Sequence, residues 1–393
     1  MRKRIFACLF ILLLAVSCNT GGDNLFAEDT PIVGDPPQRV EDNFIAAPEN
    51  YTVEPWVQGL EIPWSLVFLT DDKALVTERP GAIRLIENGH LRDAPYKTID
   101  AVEHRGEGGL LGIAKHPDYP DPPYLYVMYT YQEDGTLFNR VGRYSDTGET
   151  LSFDRVIVEQ IPGNRVHDGG RIAFGPDGML YVCTGDTWEA EIAQERDNLG
   201  GKILRFTPGG GIPEDNPFEG SPVYSLGHRN PQGIAWHPET GDLFSSEHGP
   251  SGEYGLRDKD IINVIKKGGN YGWPLVLGDA GVDPYIDPII MWPRATPPSG
   301  MAFWNNALYV ATLRSEALVR INVEPAGDSY DVKRIDRLFA SDWFEGTYGR
   351  LRDAVTGPDD ALYVLTSNRD GRGSPRDGDD KILRLTRRQS SAN

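Results

Sequence analysis

Residues 171–186 read RIAFGPDGMLYVCTGD. Ile172, Phe174, Leu180 and Val182 flank a Pro-Asp-Gly turn, apolar alternating with polar or small, which predicts a β-hairpin. Immediately before it, residues 164–171 (NRVHDGGR) gather His167, Asp168 and Arg171 around two glycines that let backbone approach a ligand closely. An imidazole delivered by a Gly-rich loop onto a rigid sheet is a candidate general base. The same residues also fit a hairpin whose histidine only hydrogen-bonds a neighbouring carbonyl.

Moving outward, the pattern recurs: an apolar stretch, a turn, an apolar-aromatic strand, and later a strand containing Arg. Residues 62–86 form one copy, 110–131 (closing on RVGRY) a second, and 171–186 (closing on KILRF) a third. Residues 232–249 (closing on DIINVI), 299–313 (closing on LVRINV) and 352–367 (closing on KILRL) complete the set. Six copies, each supplying about four short strands, predict an all-β fold, a six-bladed β-propeller of four-stranded antiparallel blades. No unit is large enough to bury both faces, so neighbouring blades must stack. Two packed sandwiches would explain the strands but not the repetition.

The ends of the chain read differently. Residues 1–18, MRKRIFACLFILLLAVSC, have a basic start and an apolar run from Ile5 to Val16, too short to span a bilayer comfortably, which predicts an export signal. Ala15-Val16-Ser17-Cys18 resembles a bacterial lipoprotein box, which predicts a lipid anchor at Cys18, ordinary cleavage nearby being the alternative. Residues 19–40 then read as a flexible tether and 41–389 as the propeller domain, in a periplasmic or cell-envelope setting. With Cys8 and Cys18 in the leader, Cys183 stands alone, so no disulfide can form within the mature body. It is expected to pack as a small apolar residue. A formal charge of −19 leaves no basic stripe for nucleic acid.

A propeller gathers loops from every blade at one mouth, and there the repeats diverge. They bring Glu107; His167, Asp168 and Arg171; Arg229 and Asn230; Glu247, His248, Gly249 and Pro250; Trp292; Arg314; and Arg350, Arg352 and Asp353. Clustered guanidinium groups in an acidic protein repel unless carboxylates, or a bound polyanion, sit among them.

The segments GEGGLLGIAKHPDY, SLGHRNPQGIAWHP, SSEHGP, KGGNYGWP and GRLRDAVTGPDDALYVLT resemble the pyrroloquinoline quinone (PQQ)-dependent aldose sugar dehydrogenases, soluble glucose dehydrogenase-like quinoproteins. The resemblance runs from about Tyr51 to Leu385. It implies PQQ and calcium in the mouth, with His167 as catalytic base and Arg229 beside the reactive quinone oxygen. Asn230, Arg314, Arg350 and Arg352 would hold the cofactor, and the carbonyls of Gly249 and Pro250 the calcium. The implied reaction takes a proton from the anomeric hydroxyl to His167 and a hydride to PQQ, giving a lactone. Electrons then pass to an external acceptor, a quinone or cytochrome.

Several positions depart from the glucose dehydrogenase pattern. Glu107 stands in place of a substrate-contacting Gln, and Val166 in place of an Asp partner to the base, a partner that is missing unless Asp168 substitutes; Glu107 and Asp168 are expected on the substrate side. Trp292 is kept as a substrate residue, while Arg294 replaces a small hydroxyl residue. Residues 251–265 are longer than usual, and a second calcium there would rest on the Asp260 side chain and the Tyr271 carbonyl, Ile261 having replaced a Glu. Two other readings stay open: a non-catalytic cell-surface propeller, and a calcium-dependent lactonase propeller, which the Arg-rich mouth disfavours.

Overall fold

The computed structural model describes residues 30–388. Six antiparallel sheets follow one another around a central axis. Blade three is built of Ile172–Phe174, Leu180–Thr184, Lys202–Phe206 and Val223–Leu226, in that order from the axis outward. The hairpin expected at 171–186 is present, with Ile172 opposite Val182 and Phe174 opposite Leu180.

In blades three and six the turn explains why the third strand carries Arg. Asp177 Oδ1 accepts the Met179 N–H at 3.1 Å, and Oδ2 accepts the Tyr181 hydroxyl at 2.9 Å. That same Oδ2 accepts Arg205 Nε at 3.0 Å from the third strand. Blade six repeats the device: Asp359 takes the Ala361 N–H, the Tyr363 hydroxyl at 3.1 Å and Arg384 Nε at 2.9 Å. One carboxylate thus closes the turn and pins two strands.

Six apolar clusters lie between neighbouring blades, each built from two adjacent sheets. Between blades one and two, Leu75 and Ile83 pack on Leu110 and Leu125, all fully buried. Burial of each such side chain contributes about 1.5–3 kcal/mol. Cys183 packs in the cluster between blades three and four, as expected of a small apolar residue. Near the axis, glycines permit close contact: a Cβ on Gly233 would collide with the Ser299 carbonyl, and one on Gly300 with Asp353.

The ring is closed by the N-terminal strand Tyr51–Gln58, which becomes the outermost strand of blade six, antiparallel to Lys381–Arg387. Asp42–Ile45 adds in parallel to the outer edge of blade five, along Ser329–Leu338. Ile32–Val33 pairs in parallel with Val276–Leu277, and the Gln38 amide exchanges hydrogen bonds with the Met291 backbone. The expected tether over 19–40 is therefore corrected in its C-terminal part, where β-pairing fixes the chain to blade four. The leader and Cys18 lie outside the described residues. No helix among those described is long and apolar enough to cross a membrane.

Candidate active site at the mouth of the propeller

Loops leading into each innermost strand and loops leaving each second strand meet at one end of the axis. They enclose a cavity of about 350 Å³ lined by Glu107, His167, Arg229, His248, Gly249, Pro250, Asp260, Arg314 and Arg350, among others. That volume lies within the usual range for a small-molecule site.

His167 sits where the chain crosses from blade two to blade three, buried, with φ +58°. Its Nδ1 is 2.6 Å from Asp186 Oδ1, and its Nε2 is 2.8 Å from Arg229 Nη2. A guanidinium only donates hydrogen bonds, so Nε2 must be the acceptor and the ring proton must lie on Nδ1, toward Asp186. The tautomer is thereby fixed, with a lone pair on the nitrogen facing Arg229. Asp186 is itself held by Trp273 Nε1–H at 2.7 Å and by the Trp188 N–H at 3.0 Å.

Asp186 therefore fills the partner position left open by Val166, and Asp168, expected on the substrate side, does not line the cavity. Asp168 Oδ1 accepts Asn139 Nδ2 and the Asn164 N–H, both at 3.0 Å, and its buried Oδ2 has no partner. Burial pushes its carboxyl up to about 7. It braces the base loop from behind instead of facing the cavity.

Arg229 enters just before the inner strand of blade four, Pro231–Trp236. Its backbone N–H reaches Glu247 Oε1, its Nε donates to Glu253 Oε1 at 2.7 Å, and its Nη1 to the His248 carbonyl at 3.1 Å. Glu253 lies on the long 251–265 segment, within a short 3-10 turn. Asn230, fully buried, accepts the Gly169 N–H at 3.0 Å through its Oδ1. It positions the base loop without lining the cavity.

The arginines are more fully compensated than a cluster read from sequence suggests. Arg350 pairs with Asp370 at 2.8 Å, Arg229 with Glu253, Arg171 with Asp353, and Arg372 with Glu107. Among the described residues, Arg314 and Arg352 make no ion pair. Arg314 is exposed and lies against the Phe344 ring, whereas buried Arg352 donates to Gln232 Oε1 at 2.7 Å. Burial pulls the Arg352 guanidinium down to about 9, and its Nε has no partner.

Glu107 faces the cavity, taking the His167 N–H at 3.1 Å and Arg372 Nη1 at 2.7 Å. Burial alone would raise its carboxyl, but the charge of Arg372 and the neighbouring histidines bring it down to about 2. His248 lines the same space with Nε2 buried and unpartnered. Burial, reinforced by Arg352 and Arg229, lowers its ring to about 3, so it is neutral.

Gly249 and Pro250 follow the strand Leu243–Glu247 and line the cavity. Gly249 must be glycine, because a Cβ would strike the backbone of Asp258 and Lys259. Asp260 accepts the Gly249 N–H at 2.9 Å on one oxygen and the Thr296 N–H at 2.6 Å on the other.

One further expectation is corrected. Trp292 is wholly buried between blades four and five, its Nε1–H on Asp42 Oδ1 at 3.3 Å, so it cannot touch a ligand in the mouth. Asp260 ties two loops together, while Tyr271 stacks its ring on His228 and donates its hydroxyl to the Val264 carbonyl. Among the described residues, no group of three or more His, Cys, Asp or Glu side chains is disposed to hold a metal.

Asp186, Glu253 and Arg372 were missed by sequence reasoning, which placed His248 at the mouth without giving it a role. Asp186 ends the hairpin segment first quoted, and His248 lies within SSEHGP, so both were adjacent to recognised motifs. Glu253 and Arg372 sit in loops without a motif.

Residues 60–384 match the family model described as Glucose / Sorbosone dehydrogenase. Aldose sugar dehydrogenase YliI of Escherichia coli K12 is 33% identical over 360 residues, covering 83% of this chain and 92% of that protein. A solved structure described as an oxidoreductase (glucose dehydrogenase) from Thermus thermophilus is 51% identical with a TM-score of 0.80, covering 86% of this chain and all of that one. Aldose sugar dehydrogenase from Streptomyces coelicolor, solved in its PQQ-bound form, is 39% identical with a TM-score of 0.74. It covers 86% of this chain and 98% of that chain. The chain belongs to the glucose/sorbosone dehydrogenase family.

Proposed function

We propose that the protein oxidises aldose sugars at the anomeric carbon to lactones, using PQQ and calcium, with His167 as the base. The observation that carries this reading is the fixed tautomer of His167, a residue of the cavity wall whose Nε2 lone pair accepts from Arg229, in a cavity lined by guanidinium groups.

The donor set fits the cofactor. Buried Arg352 Nε and His248 Nε2 lack partners within the protein, and the exposed Arg314 carries no ion pair, as a ligand with several carboxylates and carbonyls requires. Arg350, Arg352, Arg314 and Arg229 would hold it, with Asn230 setting the loop beneath. The backbone carbonyls of Gly249 and Pro250, which line the cavity, are hard oxygen ligands suited to calcium. When bound, PQQ supplies the acceptor for the hydride leaving the anomeric carbon, and calcium supplies a Lewis acid.

The chain's own residues prepare the proton transfer. A sugar hydroxyl reaching His167 Nε2 displaces the Arg229 N–H there, and the proton passes to Nε2. The resulting imidazolium is balanced by Asp186, already hydrogen-bonded to Nδ1. Arg229, still gripped by Glu253 and the His248 carbonyl, keeps a free donor for oxygen that becomes negative. Reduced enzyme passes its electrons to an external quinone or cytochrome. The basic, apolar leader and the box ending in Cys18 support export of this chemistry and a lipid anchor for it.

The test is dye reduction by apoprotein given PQQ and calcium, separately and together, against a panel of aldoses. Turnover only with both, lost by about 10²–10⁴-fold in His167→Ala, is the expected result. PQQ loading without turnover on any sugar moves the substrate elsewhere. Failure to bind PQQ defeats the proposal in favour of a non-catalytic propeller.

A further inference from the structure

Beside the base lies an aromatic ring that the proposed chemistry does not use. Trp188 is one of few large apolar side chains left exposed among the described residues, at 44%. Its ring centroid is 5.1 Å from that of His167, with the planes tilted by 39°. His167 lines the cavity, so the indole stands beside one ring of the cavity wall. Charged side chains line that cavity with it: Arg229, Arg350, Arg372 and Glu107.

The backbone holds this indole outward at a cost. Thr187 and Trp188 both have positive φ, 51° and 71°, which a β-branched and a bulky residue adopt only when their surroundings impose it. Here the surroundings do so. The Trp188 N–H is bound by Asp186 Oδ1, the Thr187 N–H by the His167 carbonyl at 3.3 Å, and the Thr187 carbonyl by Asn164 Nδ2 at 2.8 Å. The turn is therefore rigid, yet it gives the tryptophan little of the burial that normally rewards so large a side chain. A rigid, exposed indole beside a polar pocket matches the two faces of a saccharide, whose C–H face is apolar and whose edges carry hydroxyls.

We propose that Trp188 is a specificity-determining residue, a platform on which the apolar face of an extended saccharide stacks while its reducing end meets His167. The preferred substrates are then reducing oligosaccharides over free hexoses. This rests on the sugar-oxidising reading of the mouth.

The test uses the PQQ- and calcium-loaded protein with glucose, maltose and maltotriose. Trp188→Ala should raise KM for maltose and maltotriose about tenfold, with kcat and the KM for glucose changed far less. Trp188→Phe should restore most of the lost affinity, and PQQ titration followed by absorbance should be the same in all three proteins. An unchanged maltose-to-glucose KM ratio overturns the proposal. So does a loss that falls on kcat or on PQQ loading, which would mark Trp188 as a prop for His167. If the wild type oxidises no aldose, the sugar-oxidising reading fails on its own. The platform is then judged by calorimetry of maltotriose on the apoprotein, where binding that Trp188→Ala does not weaken overturns it.

Discussion

The turn end and the mouth end of the propeller use the same kinds of side chain in opposite ways. At the turns, Asp177 and Asp359 do one job twice, each joining a Tyr of the second strand to an Arg of the third. At the mouth, loops at corresponding positions carry His167, Arg229, Arg314 and Arg350, and no two do the same work. Repetition maintains the scaffold, and the departures from it make the site. The mouth is also where buried charge collects, with Arg229 on Glu253 and Arg350 on Asp370 both nearly inaccessible. If this contrast is right, substitutions at the mouth change catalysis and those at the turns change stability.

The largest effect is expected at Asp186. Asp186→Asn removes the charge that fixes the His167 tautomer and balances the imidazolium, so kcat should fall by about 100-fold or more. The melting temperature should also fall by roughly a few degrees, since the amide keeps one acceptor oxygen for the Trp188 N–H but turns a donor toward Trp273 Nε1–H. A kcat within a few-fold of wild type would show that Arg229 alone orients the base. Glu253 comes next. Glu253→Gln keeps an acceptor for Arg229 but loses its charge, and kcat should drop about tenfold. Glu253→Ala leaves a buried guanidinium unpaired and should also destabilise by about 3–5 kcal/mol, measured by denaturant unfolding.

Asp168 separates the two behaviours within the mouth. Its carboxyl is raised by burial from 3.8 to about 7. The native state therefore keeps a proton that the unfolded chain has released, and stability from this group is full below about pH 4 and lost as pH rises to about 7. Asp168→Asn should remove that loss, stabilising by on the order of a few kcal/mol at pH 8 and little at pH 4. Paired melts of the two proteins across this window measure the difference, and parallel curves would place the titrating proton elsewhere.

How far the sequence disclosed all this depends on whether a feature is local. A Pro-Asp-Gly turn between alternating strands is written in a dozen consecutive residues, so the hairpin of blade three and the sixfold repeat were both legible. Ring closure was not, because the pairing of Tyr51–Gln58 with Lys381–Arg387 joins opposite ends of the chain. In the mouth, the resemblance located the loops correctly but not the direction of every side chain. Asp168 follows His167 directly yet turns behind the loop, and Trp292 turns into the core between blades. Asp186, the partner of the base, is brought beside it only by the fold of the hairpin.

The smallest effects belong to the turns. Asp177 and Asp359 are each about one-third exposed, so the ion pairs they make with Arg205 and Arg384 are screened by water. What remains is a turn-closing bond and a tyrosine hydroxyl partner, and either Asp→Ala change should cost about 1–2 kcal/mol. Because the two devices share partners and geometry but lie in different blades, their costs should agree and should add in the double variant. Turnover at saturating sugar and PQQ should stay at the wild-type level in all three proteins. A loss of turnover from Asp177→Ala alone would mean that blade three transmits the state of its turn along Leu180–Thr184 to Asp186. The division between scaffold and site would then fail in the one blade that carries the base.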